Sequence, residues 1–121
     1  MDAAANVWVG IRSEDCDMDQ LVEQLPKSMF DKDGDDLWSK AEIDRSIAEH
    51  GCYFNYIWCC GGTSGLGVRV FHHNWECGVK TFNVEEVAAA ISNATEKVKA
   101  LFKSCGLDES LIGVWCHTNY N

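Results

Sequence analysis

The segment with the clearest chemical pattern lies between positions 31 and 42, where the sequence reads DKDGDDLWSKAE. Three aspartates at alternate positions and a glutamate at the twelfth position match the ligand spacing of an EF-hand calcium loop. These candidate calcium ligands are Asp31, Asp33, Asp35 and Glu42. Against calcium, Asp36 stands at the sixth position, which needs glycine for a sharp turn, and Glu42 also has the spacing of a helix capping box with Ser39. We therefore predict no bound metal and no cofactor, and keep a calcium-binding module as an alternative function.

A second group of residues that could bind a metal or act as nucleophiles combines cysteine and histidine. Seven of them crowd together in the middle of the chain: His50, Cys52, Cys59, Cys60, His72, His73 and Cys77. The sequence has no C-x-x-C pair, which structural zinc sites usually contain, and the adjacent Cys59 and Cys60 point to opposite faces of a predicted strand. No Cys–His pair has a recognisable third group to orient it. We therefore expect neither a zinc site nor an enzyme.

The charge of the chain is strongly acidic and unevenly distributed. There are 19 acidic and 10 basic residues, for a formal net charge of -9, and nearly all of the excess lies in the first 60 positions. The stretch from Glu14 to Asp36 alone carries nine acids against Lys27 and Lys32. Nucleic acid and anionic membranes would repel such a domain, whereas a protein with a basic surface would be attracted to it.

Within this acidic stretch, the sequence predicts a surface that binds a basic protein. The candidate partner-binding residues are Asp15, Asp19, Asp31, Asp33, Asp35, Asp36 and Trp38. An aromatic residue among carboxylates is a common anchor of protein interfaces, and loops often carry binding functions. The simpler interpretation, in which these carboxylates only solvate a turn, stays open at this point.

Length and targeting signals suggest one small intracellular domain. The 121 residues fit a single domain over positions 1–121. No basic segment followed by an apolar run opens the sequence, and no stretch approaches the roughly 20 apolar residues that span a bilayer. With seven cysteines and no export signal, we expect reduced thiols, a cytoplasmic location, and a monomer or weak dimer.

Hydrophobic periodicity, caps and turns predict an α+β fold. The expected order is β-α-α-β-β-α-β, a four-stranded, mostly antiparallel sheet with helices packed on one side. The strands are predicted at Val7–Ile11, Cys52–Cys60, Gly67–His73 and Leu111–His117, and the helices at Ser13–Leu25, Ser39–His50 and Asn83–Cys105.

Three short motifs support a family resemblance. VWVG at 7–10 precedes an acidic helix, FDKDGD at 30–35 precedes Ser39 and an Ile-Asp pair at 43–44, and LIGVWC at 111–116 precedes Tyr120. Together they cover about half of the chain and resemble the immunity protein 22 family, small cytosolic antitoxins of bacterial polymorphic-toxin systems. The resemblance implies an α+β binding protein that neutralises a partner toxin, often a basic nuclease, by occupying it, and it implies no catalytic residues.

The functional expectation follows from both lines of argument. We expect an acidic cytosolic protein that neutralises a basic toxin, and an inhibitor of a nucleic-acid enzyme must compete with a polyanion. A phage-encoded inhibitor of a host nucleic-acid enzyme, such as an anti-CRISPR protein, is the alternative, because it would need the same charge.

Overall fold

A computed structural model describes residues 3–57, 63–74 and 81–120 of the chain. Its principal elements are β1 (Ala3–Arg12), α1 (Met18–Gln24), α2 (Lys40–His50), β2 (Tyr53–Ile57), β3 (Thr63–Asn74), α3 (Val84–Cys105) and β4 (Gly113–Tyr120). The sheet has four strands in the order β2-β3-β1-β4, and all three pairings are antiparallel. The predicted element order and the α+β class are confirmed. Among the described residues, no helix is both long and apolar enough to cross a membrane.

The main core lies on the face of the sheet that α1 and α3 cover. The strand register places Ile11, Leu66 and Phe54 in one row across three strands of this face. Leu21 of α1 and Phe102 of α3 pack against that row, and all of these side chains are buried. Both helices therefore bury an apolar stripe against the sheet, as their periodicity predicts.

The opposite face carries a smaller aromatic cluster, which differs from the expectation of helices on one side only. Trp8 stacks on Trp115, with ring centroids 5.4 Å apart, and lies 5.0 Å from the ring of Tyr53. Ile43 and Ile47 of α2 pack against this cluster. Since strand residues alternate between faces, Trp8 and Tyr53 need their own cover, and α2 supplies part of it.

Several predicted boundaries shift for local reasons. α1 begins at Met18 because the Asp17 side chain accepts hydrogen bonds from the backbone N–H groups of Asp19 and Gln20, whereas residues 13–15 form a separate 3-10 turn. β1 and β3 are longer than predicted because β1 pairs along most of its length with strands on both sides. β2 is described only from Tyr53 to Ile57, so positions 58–60 of the predicted strand and the adjacent Cys59 and Cys60 lie outside the described residues.

The described thiols differ in their exposure, and this predicts their order of reaction. Burial, with a smaller contribution from Cys105, raises the pKa of Cys52 to about 12, whereas Cys116 is exposed. Because the thiolate is the reactive form, iodoacetamide at mildly alkaline pH should modify Cys116 quickly and Cys52 only after unfolding in urea. Mass spectrometry of labelled peptides measures both rates. Equal labelling of the two residues in the folded protein would contradict this prediction.

Candidate partner-binding surface

The acidic loop before α2 is a turn closed by hydrogen bonds. The carboxylate of Asp31 accepts hydrogen bonds from the backbone N–H groups of Asp33 and Asp35, both at 2.9 Å. The backbone N–H of Asp31 donates to the carbonyl of Asp35 at 2.8 Å, and Gly34 occupies the left-handed region with φ of 83°. The Asp31 side chain therefore stabilises the turn, whereas Asp33 and Asp35 are exposed to solvent.

The end of this loop holds Trp38 at the surface. Leu37 is 1% exposed and anchors the loop in the interior, whereas Trp38 is 73% exposed. Immediately after it, Ser39 and Glu42 form a complete capping box, with a bond of 3.1 Å from the Glu42 backbone N–H to the Ser39 hydroxyl. Trp38 is thus fixed between a buried leucine and a capped helix, so a partner that binds it meets a preorganised backbone.

Trp38 separates two open grooves beside the edge strand β2. The first, of about 500 Å³, has acidic and aromatic walls formed by Gly34, Asp35, Asp36, Trp38, Tyr56 and Ser64. The second, of about 400 Å³, is lined by Trp38, Lys40, Ile43, Asp44, Ile47, Tyr53 and Arg69. We call Asp33, Asp35, Asp36, Trp38 and Tyr56 the Trp38 surface. The Trp38 side chain therefore lines both an acidic groove and a more apolar groove.

Asp36 joins the loop to the sheet. Its carboxylate accepts a hydrogen bond from the backbone N–H of Tyr56 in β2, and the side chain is half-buried. Burial raises the pKa of Asp36, and the nearby charges of Asp35 and Asp31 raise it further, while the bond from Tyr56 acts in the opposite direction. The carboxylate is therefore destabilised as a charge in this position, and a cationic group from a partner would relieve that destabilisation.

The raised pKa of Asp36 predicts the effect of removing its charge. At pH values below the ordinary value of 3.8, the carboxyl group is protonated in both the folded and unfolded states, and it does not oppose folding. Between that value and the higher pKa of the folded state, the unfolded chain loses its proton more readily than the folded one. The free energy of unfolding of the wild type therefore falls as the pH rises through this range. Asp36→Asn should therefore be more stable than the wild type at neutral pH, by less than about 1 kcal/mol because solvent screens the half-buried group. The two proteins should converge in acid.

Urea unfolding of both proteins across a pH series measures this difference. Asp33→Asn is the matched control, because Asp33 is exposed and its substitution should change little. A loss of stability in Asp36→Asn at neutral pH would mean that the bond from Tyr56 outweighs the cost of burying the charge.

The calcium-loop hypothesis finds little support in this geometry. The Asp31 carboxylate already bonds two backbone N–H groups, and the Glu42 carboxylate accepts hydrogen bonds from the backbone N–H and the hydroxyl of Ser39. Within residues 3–57, 63–74 and 81–120, no three Asp, Glu, His or Cys side chains are grouped so that they could hold a metal ion. Cys59, Cys60 and Cys77 lie outside those ranges.

Two of the predicted partner-binding residues lie apart from the loop. Asp15 forms an ion pair with Arg12 at 3.1 Å, and that hydrogen bond lowers the pKa of Asp15. Asp19 is exposed on α1. Neither Asp15 nor Asp19 lines the two grooves beside Trp38, whereas the predicted members from Asp31 to Trp38 share one loop.

One Ser–His pair in the described part of the chain, Ser28 with His50, has the contact that a nucleophile and its base would make. The Ser28 hydroxyl lies 2.6 Å from His50 Nε2. The Glu49 carboxylate is 3.6 Å from the same nitrogen, whereas a triad carboxylate would contact Nδ1 and orient the ring. This arrangement links a surface turn to the end of α2 and does not have the geometry of a catalytic triad.

Sequence reasoning missed the strand residues that complete the site. Tyr56 and Ser64 face each other across β2 and β3, and the Ser13 hydroxyl accepts a bond from the Ser64 backbone N–H at 3.1 Å. Arg69 and Tyr53 line the second groove from the other face. Only the register of the β2–β3 pair brings these residues beside Trp38, and no local motif reports that register.

Comparison with known proteins adds no assignment to this geometry. No family model, curated protein or solved structure matches the chain. The function is therefore inferred from the Trp38 surface itself.

Proposed function

We propose that the protein binds a basic protein partner through the Trp38 surface and thereby neutralises it, and that this partner is a toxin. The observation that carries this proposal is the 73% exposure of Trp38 on a backbone fixed by the Asp31 turn and the Ser39 cap. A large aromatic side chain held in solvent adds little to the stability of the fold. Tryptophan is among the residues that contribute most to binding when an interface covers it.

The charges around Trp38 indicate the chemistry of the partner. Asp33 and Asp35 are exposed, Asp36 is half-buried, and the surrounding chain has a strong acidic excess. Lysine or arginine side chains entering the first groove would pair with these carboxylates, and long-range attraction would speed the encounter. A nuclease toxin has the required basic surface because it must bind phosphate groups.

The manner of inhibition follows from the same features. A protein that places carboxylates and an aromatic side chain against a basic cleft competes directly with nucleic acid for that cleft. Such competition requires no chemistry from the inhibitor, which fits the expectation that this protein is not an enzyme. A phage-encoded inhibitor of a host enzyme would act in the same way, and the identity of the partner distinguishes the two cases.

Site-specific crosslinking in the native cell tests the proposal. A photoreactive phenylalanine analogue replaces Trp38 in one version of the protein and Val84 in the other. Val84 is the matched control because it is 83% exposed and lies away from the Trp38 surface, at the start of α3. Its neighbour Phe82 packs on Phe71, which is seven positions along β3 from Ser64 of the first groove. We expect position 38 to capture a basic protein that position 84 does not, and that protein's activity to be blocked by an equimolar amount of the wild type. Identical crosslinks from both positions, or an acidic partner at position 38, would overturn the proposal.

A further inference from the structure

The two edges of the sheet are treated differently. At the β2 edge, the Asp36 carboxylate accepts a hydrogen bond from the backbone N–H of Tyr56 and so places a negative charge beside the strand. At the other edge, the described sheet ends with β4, which runs over eight residues from Gly113 to Tyr120. Edge strands normally carry charges, prolines or bulges that prevent pairing with another chain. The β2 edge has such a device.

β4 has none of these protective features. The chain contains no Asp, Glu, Lys, Arg or Pro from Ser110 to Asn121, although it carries 29 charged residues in all. The pairing of β4 with β1 is regular from Gly113 to Tyr120, without a bulge. Val114 is 54% exposed and Cys116 is also exposed, and both lie on the same face because they are two positions apart. A long, regularly paired, uncharged edge with exposed apolar side chains favours the addition of a strand.

We propose that β4 pairs with β4 of a second copy of this chain, so that two sheets join into one eight-stranded antiparallel sheet. A strand paired with its own copy about a two-fold axis is self-complementary, because each outward N–H meets the corresponding C=O of its partner. This proposal concerns the opposite edge from the Trp38 surface and does not depend on its function.

The charge distribution favours pairing of two copies through the β4 edge over pairing through the acidic β2 edge. The acidic loops lie beside β2, at the far edge of each sheet, so they end up roughly 34 Å apart across eight strands. This separation is several times the screening length of about 8 Å at physiological ionic strength. The acidic loops of two chains that associate through β4 therefore repel each other little, and both Trp38 surfaces stay accessible.

The pleat of the sheet restricts the register of the pair. Paired residues in antiparallel strands point to the same face, so the two-fold axis must pass beside a residue and not between two residues. An axis at Cys116 keeps nearly all of β4 paired and places Val114 opposite Thr118 of the second copy. It also places the two Cys116 side chains directly opposite each other, at a Cα separation of about 5 Å, which a disulfide can bridge.

Two measurements on the full chain test this inference. Under reducing conditions, sedimentation equilibrium should show a concentration-dependent dimer of the wild type. Cys116→Lys should raise the dissociation constant of this dimer at least about tenfold. Val84→Lys, which adds the same charge at an exposed position of α3, should dimerise like the wild type. In the second measurement, mild oxidation with diamide should link the wild type into a dimer through Cys116, and Cys116→Ser should abolish that link.

Several outcomes would overturn the inference. These are a wild type that stays monomeric at all concentrations, a Cys116→Lys variant that dimerises as well as the wild type, and a crosslink that survives Cys116→Ser. The sedimentation and diamide experiments on the wild type need no lysine variant, so together they decide the question even if that variant fails to fold. Pairing of β4 with a strand of a different protein in place of the second copy would likewise contradict it.

Discussion

Replacing Trp38 with alanine should weaken binding to the basic partner by about 30-fold or more, which corresponds to about 2 kcal/mol. The side chain is held in solvent between two grooves, so a partner that covers it removes its whole aromatic surface from water. Most of the loss should be in the dissociation rate, because short-range contacts control how long a complex lasts. Titration calorimetry with the protein captured at position 38 measures the affinity, and surface plasmon resonance measures the dissociation rate.

The stability of the Trp38→Ala variant separates binding from folding. Because Trp38 is 73% exposed, its removal should change the free energy of unfolding by no more than about 0.5 kcal/mol. Val84→Ala removes an exposed apolar side chain elsewhere and should leave the affinity unchanged. If both variants bound the partner as tightly as the wild type, Trp38 would not be an interface anchor.

Replacing Gly10 with alanine should destabilise the fold by at least about 3 kcal/mol, a large fraction of the stability of a small domain. A methyl group on Gly10 would lie 1.9 Å from the carbonyl oxygen of Leu66 and 2.8 Å from the Cα of Gly67. Both atoms belong to the backbone of β3, so neither can rotate away as a side chain would. The clash falls in the pairing of β1 with β3 at the centre of the sheet, and relief requires the strands to separate.

Gly113→Ala provides a matched control for this effect. Gly113 pairs with Gly10 from the other side, on β4, and a methyl group there would meet nothing within 4 Å. Urea unfolding should therefore show a large loss for Gly10→Ala and almost none for Gly113→Ala. Equal effects of the two substitutions would contradict the close approach of β1 and β3 at Gly10.

Local signals in the sequence predicted the helices well. The spacing of Ser39 and Glu42 predicted a capping box, which the structure contains, and Asn83 and Gly106 stand at the two ends of α3. These features depend on residues within a few positions of one another, so the chemistry that ends a helix is readable without the fold. The start of α1 was predicted wrongly because Ser13 and Asp17 are both good caps. The ion pair of Arg12 with Asp15 and the bond of the Ser13 hydroxyl to β3 hold residues 13–15 in a separate turn.

Long-range pairing sets the parts that the sequence could not predict. The position of β1 between β3 and β4 depends on contacts across most of the chain, and so does the aromatic cluster around Trp8. The candidate site has the same limitation. Asp33, Asp35 and Trp38 stand out in the sequence, whereas Tyr56 joins them only because β2 passes beside the loop and donates a hydrogen bond to Asp36.

The salt dependence of association with the captured basic protein tests most directly whether the Trp38 surface is the binding site. Asp33→Asn combined with Asp35→Asn removes two exposed charges of the Trp38 surface without altering the Asp31 turn, in which only their backbone groups take part. Glu85→Gln combined with Glu86→Gln removes the same net charge at the start of α3 and is the control. We predict that the first pair lowers affinity at least about tenfold, mainly by slowing association, and flattens its dependence on salt. Equal effects of the two pairs, or an unchanged association rate for the first, would contradict the assignment of the Trp38 surface as the site that meets a basic partner.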